Sequence, residues 1–168
     1  MNRRFFWALP LLLLTFSVIN LHAQAKLAIY GTIGAEKSGL PNENWELAGT
    51  FGLYYGLTHL APLDLSIDAR GDLSGNINSG LVGPRLALKL PAIPIKPYGE
   101  FLIGFQSYSK TAAGLKDPND FAYRYVLGLD TTILPHIDWR VADFSYALNN
   151  SANGDHAKTL STGLVLRF

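Results

Sequence analysis

The sequence predicts an all-β fold, an eight-stranded antiparallel up-and-down transmembrane β-barrel, on three observations. After Lys26 the apolar residues recur with period two and never with the helical period, in runs of the ~9–11 residues a tilted membrane-crossing strand needs. The connections between runs alternate strictly between polar stretches and short stretches carrying proline. The two faces defined by the alternation differ sharply, one aliphatic and aromatic, the other charged and small.

The runs follow in order. LAIYGTIGAE (27–36) is the first, and SGLPNEN separates it from WELAGTFGLYYGL (45–57). The short THLAP leads to LDLSIDARGDL (63–73), and the polar SGNINSG leads to GLVGPRLALKL (80–90). PAIP then turns the chain into IKPYGEFLIGFQSY (95–108), and the longest connection, Ser109 to Asp120, precedes FAYRYVLGLDT (121–131). TILPH joins this run to IDWRVADFSYAL (137–148), and NNSANGDHA leads to the last run, TLSTGLVLRF (159–168). An even number of strands with this spacing places the polar connections at one end of a barrel and the proline turns, with both termini, at the other.

Composition agrees. Charged residues make up 16% of the 168, against roughly 25% in soluble globular chains. A net charge of +1 offers no electrostatic case for nucleic acid. The absence of cysteine excludes disulfides and thiolate chemistry. Sixteen glycines, with 3 Trp, 8 Tyr and 9 Phe, suit a β architecture. The first residues read as an export signal: a basic head through Arg4, an apolar core from Phe5 to Ile19 interrupted by Pro10, and AQA at 23–25 with the A-x-A spacing of a cleavage site. Residues 1–25 are therefore expected to be a cleaved secretory signal and 26–168 the barrel.

Parity sorts the side chains. Trp45, Leu47, Phe51, Leu53, Tyr55, Leu57, Leu63, Leu65, Ile67, Leu86, Leu88, Leu90, Phe101, Ile103, Phe105, Phe121, Tyr123, Tyr125, Leu127, Leu129 and Trp139 share one face with Leu160, Leu164, Leu166 and Phe168. Glu46, Asp64, Asp68, Arg70, Arg85, Lys89, Glu100, Arg124, Asp130, Asp138, Arg140 and Arg167 share the other. The period slips at Ala142–Asp143, which predicts a β-bulge that returns Phe144 and Tyr146 to the apolar side. A soluble lipocalin-like barrel would turn the apolar face inward, but an eight-stranded barrel has room for only a modest layer of side chains. The apolar face must look outward to lipid and the charges inward, where they must pair. Hairpin geometry about SGNINSG sets Asp68 opposite Arg85 and Asp64 opposite Lys89, and geometry about PAIP sets Arg85 opposite Glu100. The expectation is an Asp68–Arg85–Glu100 rung extended by Arg70, Arg124 and Arg140, closing the lumen.

Signal, eight alternating strands and the terminal TGLVLRF together resemble the OmpA/OmpX-like eight-stranded outer-membrane β-barrels, over Lys26 to Phe168. The resemblance implies a bacterial outer-membrane location, contact with outer-membrane lipid and lipopolysaccharide, and recognition by the barrel-assembly machinery. It also implies that Leu160, Leu164, Leu166 and Phe168 form the assembly signal. The peptidoglycan-binding domain of the longer members has no counterpart here, so cell-wall tethering is not implied.

Sites of chemistry are sparse. GTIGAEKSG (31–39) has Glu36 where a phosphate-binding loop needs glycine before Lys37, so no nucleotide or other cofactor is expected. No two histidines share a metal-ligand spacing, so no metal is expected. His22 lies in the signal, and His59 and His136 fall on the proline turns. His156 falls in the last polar connection near Asp155, Ser151 and Ser161, where Ser161 points by parity into the lumen. No catalytic residue is assigned, and the sequence predicts a monomeric, non-enzymatic barrel serving envelope structure or surface adhesion. The connection from Ser109 to Asp120 is its candidate contact with a host or surface ligand. The competing readings are a lipid A deacylase or acyltransferase, using a His with Ser and an acid, and a narrow solute pore. Trp45, Tyr55, Phe105, Tyr108, Phe121, Trp139 and Tyr146 lie near strand ends, as interfacial girdles do.

Overall fold

The computed structural model describes residues 27–37, 44–75, 77–89, 93–108, 119–149 and 156–168. The expected signal at 1–25, Leu90, and most of the connection from Ser109 to Asp120 lie outside them. Eight strands run in chain order: β1 (Leu27–Lys37), β2 (Glu46–Leu60), β3 (Leu63–Ser74), β4 (Ile77–Leu88), β5 (Ile95–Tyr108), β6 (Asn119–Leu134), β7 (Ile137–Asn149) and β8 (His156–Arg167). Each pairs antiparallel with the next, and β8 pairs with β1 to close the barrel. Closure leaves no unpaired edge, the condition for a sheet to cross lipid. At the seam Ala28 lies opposite Arg167 and Lys37 opposite Lys158, and the Phe168 amide donates to the Leu27 carbonyl at 2.8 Å.

Alternation decides the faces because successive strand side chains point to opposite sides. Leu47, Phe105 and Leu127 are among the outward residues, 73%, 69% and 67% exposed, whereas inward Leu102 and Val126 are fully enclosed. This inversion, large apolar residues outside and charged ones inside, is the pattern of a strand barrel dissolved in lipid. Aromatic pairs reinforce the outer wall where β5 meets β6. Phe105 meets Phe121 edge-on with centroids 5.8 Å apart, and Phe101 lies 5.2 Å from Tyr125.

Two features differ from the sequence expectation. SGNINSG is not a long connection: β3 runs to Ser74 and β4 begins at Ile77. The Ser74 hydroxyl spans the gap, accepting from the Ile77 amide at 2.9 Å and lying 2.9 Å from the Ile77 carbonyl. Ile77 then turns into the barrel, fully enclosed with Ala147 and Ala157. With Ser74 and Ile77 flanking it, the turn is centred one residue earlier than the expected pairings require, which moves the β3–β4 register by two residues, so Asp68 faces Gly83 and Arg85 faces Ser66. The expected Asp68–Arg85 pairing is corrected accordingly, as is Asp64 opposite Lys89: Asp64 faces Ala87. The Lys89 ammonium nevertheless reaches the Asp64 carboxylate diagonally as an ion pair. The second difference concerns His59, which lies in β2 and not on a turn; its ring contacts Asp64.

The bulge on β7 takes up Val141 and Ala142. Leu129 faces Ala142 and Asp130 faces Arg140, and the β7–β8 register shifts between Arg140 and Asp143. Without it, Arg140 and Asp143 would point to opposite faces; with it, both enter the lumen.

Candidate functional site

Among the described residues, ionisable side chains from most strands converge in the polar lumen. β3 contributes Asp68, Arg70 and Asp72, β4 Arg85, β5 Glu100, and β6 Arg124 and Asp130, while β7 contributes Asp138, Arg140 and Asp143; all are buried. Their contacts cross the barrel as well as following neighbouring strands. Arg70 Nη2 lies 2.5 Å from Asp143 Oδ2, and Arg124 pairs with Asp72, which also accepts from Thr50 at 2.6 Å and Ser79 at 2.7 Å. Arg85 reaches Glu100 at 3.2 Å and Asp130 at 3.0 Å. Arg140 reaches Asp130 at 3.0 Å and Asp143 at 3.3 Å. Glu100 also lies 3.7 Å from Arg70. Asp68 takes the Tyr30 hydroxyl at 2.8 Å in place of the expected arginine.

Three lumenal tyrosines, which sequence reasoning overlooked, organise the arginines. The Arg85 guanidinium lies 4.3 Å from the ring centroids of both Tyr54 and Tyr98. Arg140 lies 4.1 Å from Tyr30 and 4.6 Å from Tyr98. The result is a continuous column, Tyr54–Arg85–Tyr98–Arg140–Tyr30, across the lumen. A desolvated cation–π contact is worth about 2 kcal/mol, and guanidinium keeps its charge where an ammonium would lose it. The rings fit because glycine leaves room for them: a Cβ on Gly52 would meet the Tyr30 ring, and one on Gly128 the Tyr98 ring. Parity alone would have found these tyrosines, since Tyr30, Tyr54 and Tyr98 alternate with outward residues exactly as the charges do.

Below the column, toward the proline turns, lies a cavity of about 450 Å³ whose lining reaches inward to Tyr54, Arg85 and Asp130. At its rim Asp138 binds Lys96 at 2.9 Å and Arg167 at 3.0 Å, and Asp64 is shared between Lys89 and His59. At the opposite end Glu36 accepts from Ser74 at 2.8 Å and Thr159 at 3.1 Å. Arrays of this kind couple their members, since carboxylates such as Asp130 and Asp143 are shared between more than one partner.

The remaining candidates scatter. The His156 ring faces outward and stacks on Tyr146 at 5.4 Å, whereas the Ser161 hydroxyl points into the lumen and donates to Thr32 at 3.0 Å. They stand on opposite faces of β8, so the wall separates them; Ser151 and Asp155 lie outside the described residues. Leu160, Leu164 and Leu166 face outward along β8, and Phe168 follows them, exposed.

No protein-family model matches the chain, and no curated protein matches it. Solved structures do. Neisserial surface protein A is 13% identical with a TM-score of 0.60, over 86% of this chain and 98% of that one. The N-terminal β-barrel domain of Pseudomonas aeruginosa OprF is 10% identical with a TM-score of 0.54, over 86% of this chain and 100% of the other. The outer membrane enzyme PagL is 16% identical with a TM-score of 0.54, over 84% and 99%. At these identities the likeness is one of fold. It corrects the expectation that the protein is not an enzyme. The same barrel carries an enzyme in PagL, because activity resides in side chains placed on a fold and not in the fold itself. The chain is thus similar in fold to outer-membrane proteins of several kinds, an eight-stranded transmembrane barrel with a charged interior.

Proposed function

We propose that the chain is a sealed barrel of the bacterial outer membrane, of the OmpA/OmpX-like kind, exported on a cleaved signal at 1–25. It serves envelope structure or surface adhesion, holding the polar connections at the outer surface on a rigid stem. The observation that carries this reading is the Tyr54–Arg85–Tyr98–Arg140–Tyr30 column, which spans the lumen with groups already partnered. An eight-stranded interior is just wide enough for such side chains to fill, so solute flow is the role least suited to it. Outer-membrane lipid and lipopolysaccharide surround the barrel, which functions as a monomer. The connection between β5 and β6 is its contact with a host or surface ligand.

The test combines density-gradient fractionation with planar-bilayer recording on the purified protein. The protein is expected with the outer membrane, and bilayers containing it are expected to stay free of steady porin-sized conductance. A stable open channel would overturn the sealed lumen, and recovery with the inner membrane would overturn the location. The terminal strand supplies a second expectation. Leu160, Leu164, Leu166 and Phe168 act as the assembly signal, so deletion of Phe168 lowers the outer-membrane level of the protein and leaves misassembled chain behind. Quantitative immunoblotting of membrane fractions reads this directly, and an unchanged level would remove the assembly role.

A further inference from the structure

On β1 the outward-facing column, read down from the end of the polar connections, is Lys37, Ala35, Ile33 and Gly31. Lys37 lies directly opposite Lys158 of β8, and both are exposed. Like charges directly opposite on one face of a sheet are destabilising, and among the described residues neither ammonium has an ion-pair partner. Lys158 instead lies 5.9 Å over the Tyr146 ring. On the other flank, Trp45 is exposed one residue beyond the Glu36–Glu46 register pair.

Depth gives the pair a meaning. Ten residues separate Lys158 from Phe168 along β8, about 33 Å of strand, and a strand tilted by about 35–45° covers about 25 Å of membrane normal over that length. That is the height of the apolar band of such barrels, so the two lysines stand at its rim. Beneath them the wall is indented by a notch of about 460 Å³, lined by Gly31, Ile33, Gly49, Phe51, Thr162 and Leu164. A Cβ on Gly31 would meet nothing within 4 Å. The notch is apolar even at Thr162, whose hydroxyl donates to the Arg140 carbonyl at 2.8 Å and accepts from Trp139 Nε1 at 3.0 Å.

We propose that the β8–β1–β2 wall binds a phosphorylated lipid of the outer leaflet, with a phosphate bridging Lys37 and Lys158 and an acyl chain in the notch below. A phosphate between the two ammoniums replaces their repulsion with charge-assisted hydrogen bonds, and an acyl chain fills an apolar surface that no side chain of the wall covers. The orientation rests on the proposed outer-membrane location, with the polar connections outward.

The test uses the purified full chain in phosphatidylcholine nanodiscs, titrated with bisphosphorylated lipid A and with its dephosphorylated form, and read by native mass spectrometry. The phosphorylated lipid is expected to bind and the dephosphorylated form to bind more weakly by about tenfold or more. Lys37→Ala/Lys158→Ala is expected to weaken binding about thirtyfold, the scale of two lysines at an anionic lipid surface. Gly31→Leu fills the notch and weakens binding, whereas Gly80→Leu, on β4 at a glycine whose added Cβ also meets nothing, leaves it unchanged. Heat-modifiable gel mobility verifies that each variant is folded. Equal affinity for the two lipids, full binding by the double-lysine variant, or a second copy of the chain seated on the notch would overturn the inference. Because binding is measured on purified protein, an outer-membrane barrel that fails it removes this site alone. A barrel that binds but fractionates elsewhere removes the proposed location alone.

Discussion

Arg140→Ala is expected to destabilise the barrel by about 3–5 kcal/mol, the cost of breaking a buried ion pair from one side. Arg140 is fully enclosed, binds Asp130 and Asp143, and lies between the rings of Tyr30 and Tyr98. Its removal leaves Asp130 with Arg85, and Asp143 with Arg70 and the Tyr98 hydroxyl at 2.6 Å. Two carboxylates then share too little positive charge in a space that excludes bulk water, and the tyrosine column loses a member. Urea titration of the protein folded into lipid vesicles measures the loss. Arg140→Ala/Asp130→Asn should recover part of it, because neutralising the stranded carboxylate removes much of the penalty. A single variant as stable as the parent would show that the column is incidental to stability. The bulge at Val141–Ala142 is what makes this coupling available, since it brings Arg140 and Asp143 of one strand into the same interior.

Leu127→Arg tests the opposite face and is expected to cost about 2–4 kcal/mol in a bilayer. Leu127 lies near the middle of β6 and is 67% exposed. Leu60, at the end of β2, is 68% exposed. In water the two positions would tolerate arginine alike, because surface substitutions cost little. In lipid they must differ: Leu60→Arg can extend its guanidinium to the interface and should cost only about 0–1 kcal/mol. The same vesicle titration reads both variants. A depth-dependent difference identifies the outward band as the lipid-facing surface, and equal small costs would contradict it.

Much of this architecture is legible in the chain without its fold. Strand number, the inward set from Asp64 to Arg167, the outward set ending at Phe168 and the slip at Ala142–Asp143 all follow from period-two alternation, a property of each strand by itself. Tyr30, Tyr54 and Tyr98 take inward positions by the same alternation, but an uncharged aromatic side chain in a membrane strand reads as an ordinary apolar residue.

Partner choice was another matter. Arg85 and Glu100 face one another across β4 and β5, as hairpin counting predicts. Asp68 and Arg85 do not, because Ser74 and Ile77 centre the turn one residue earlier than the polar SGNINSG suggests, and two residues of register move with it. The contacts across the barrel, Arg70 to Asp143 and Arg124 to Asp72, join residues 73 and 52 positions apart. A strand's own sequence determines which side each residue faces. Which residues meet across the lumen depends on strand stagger, turn length and bulges acting together around a closed ring, and only the tertiary structure decides that.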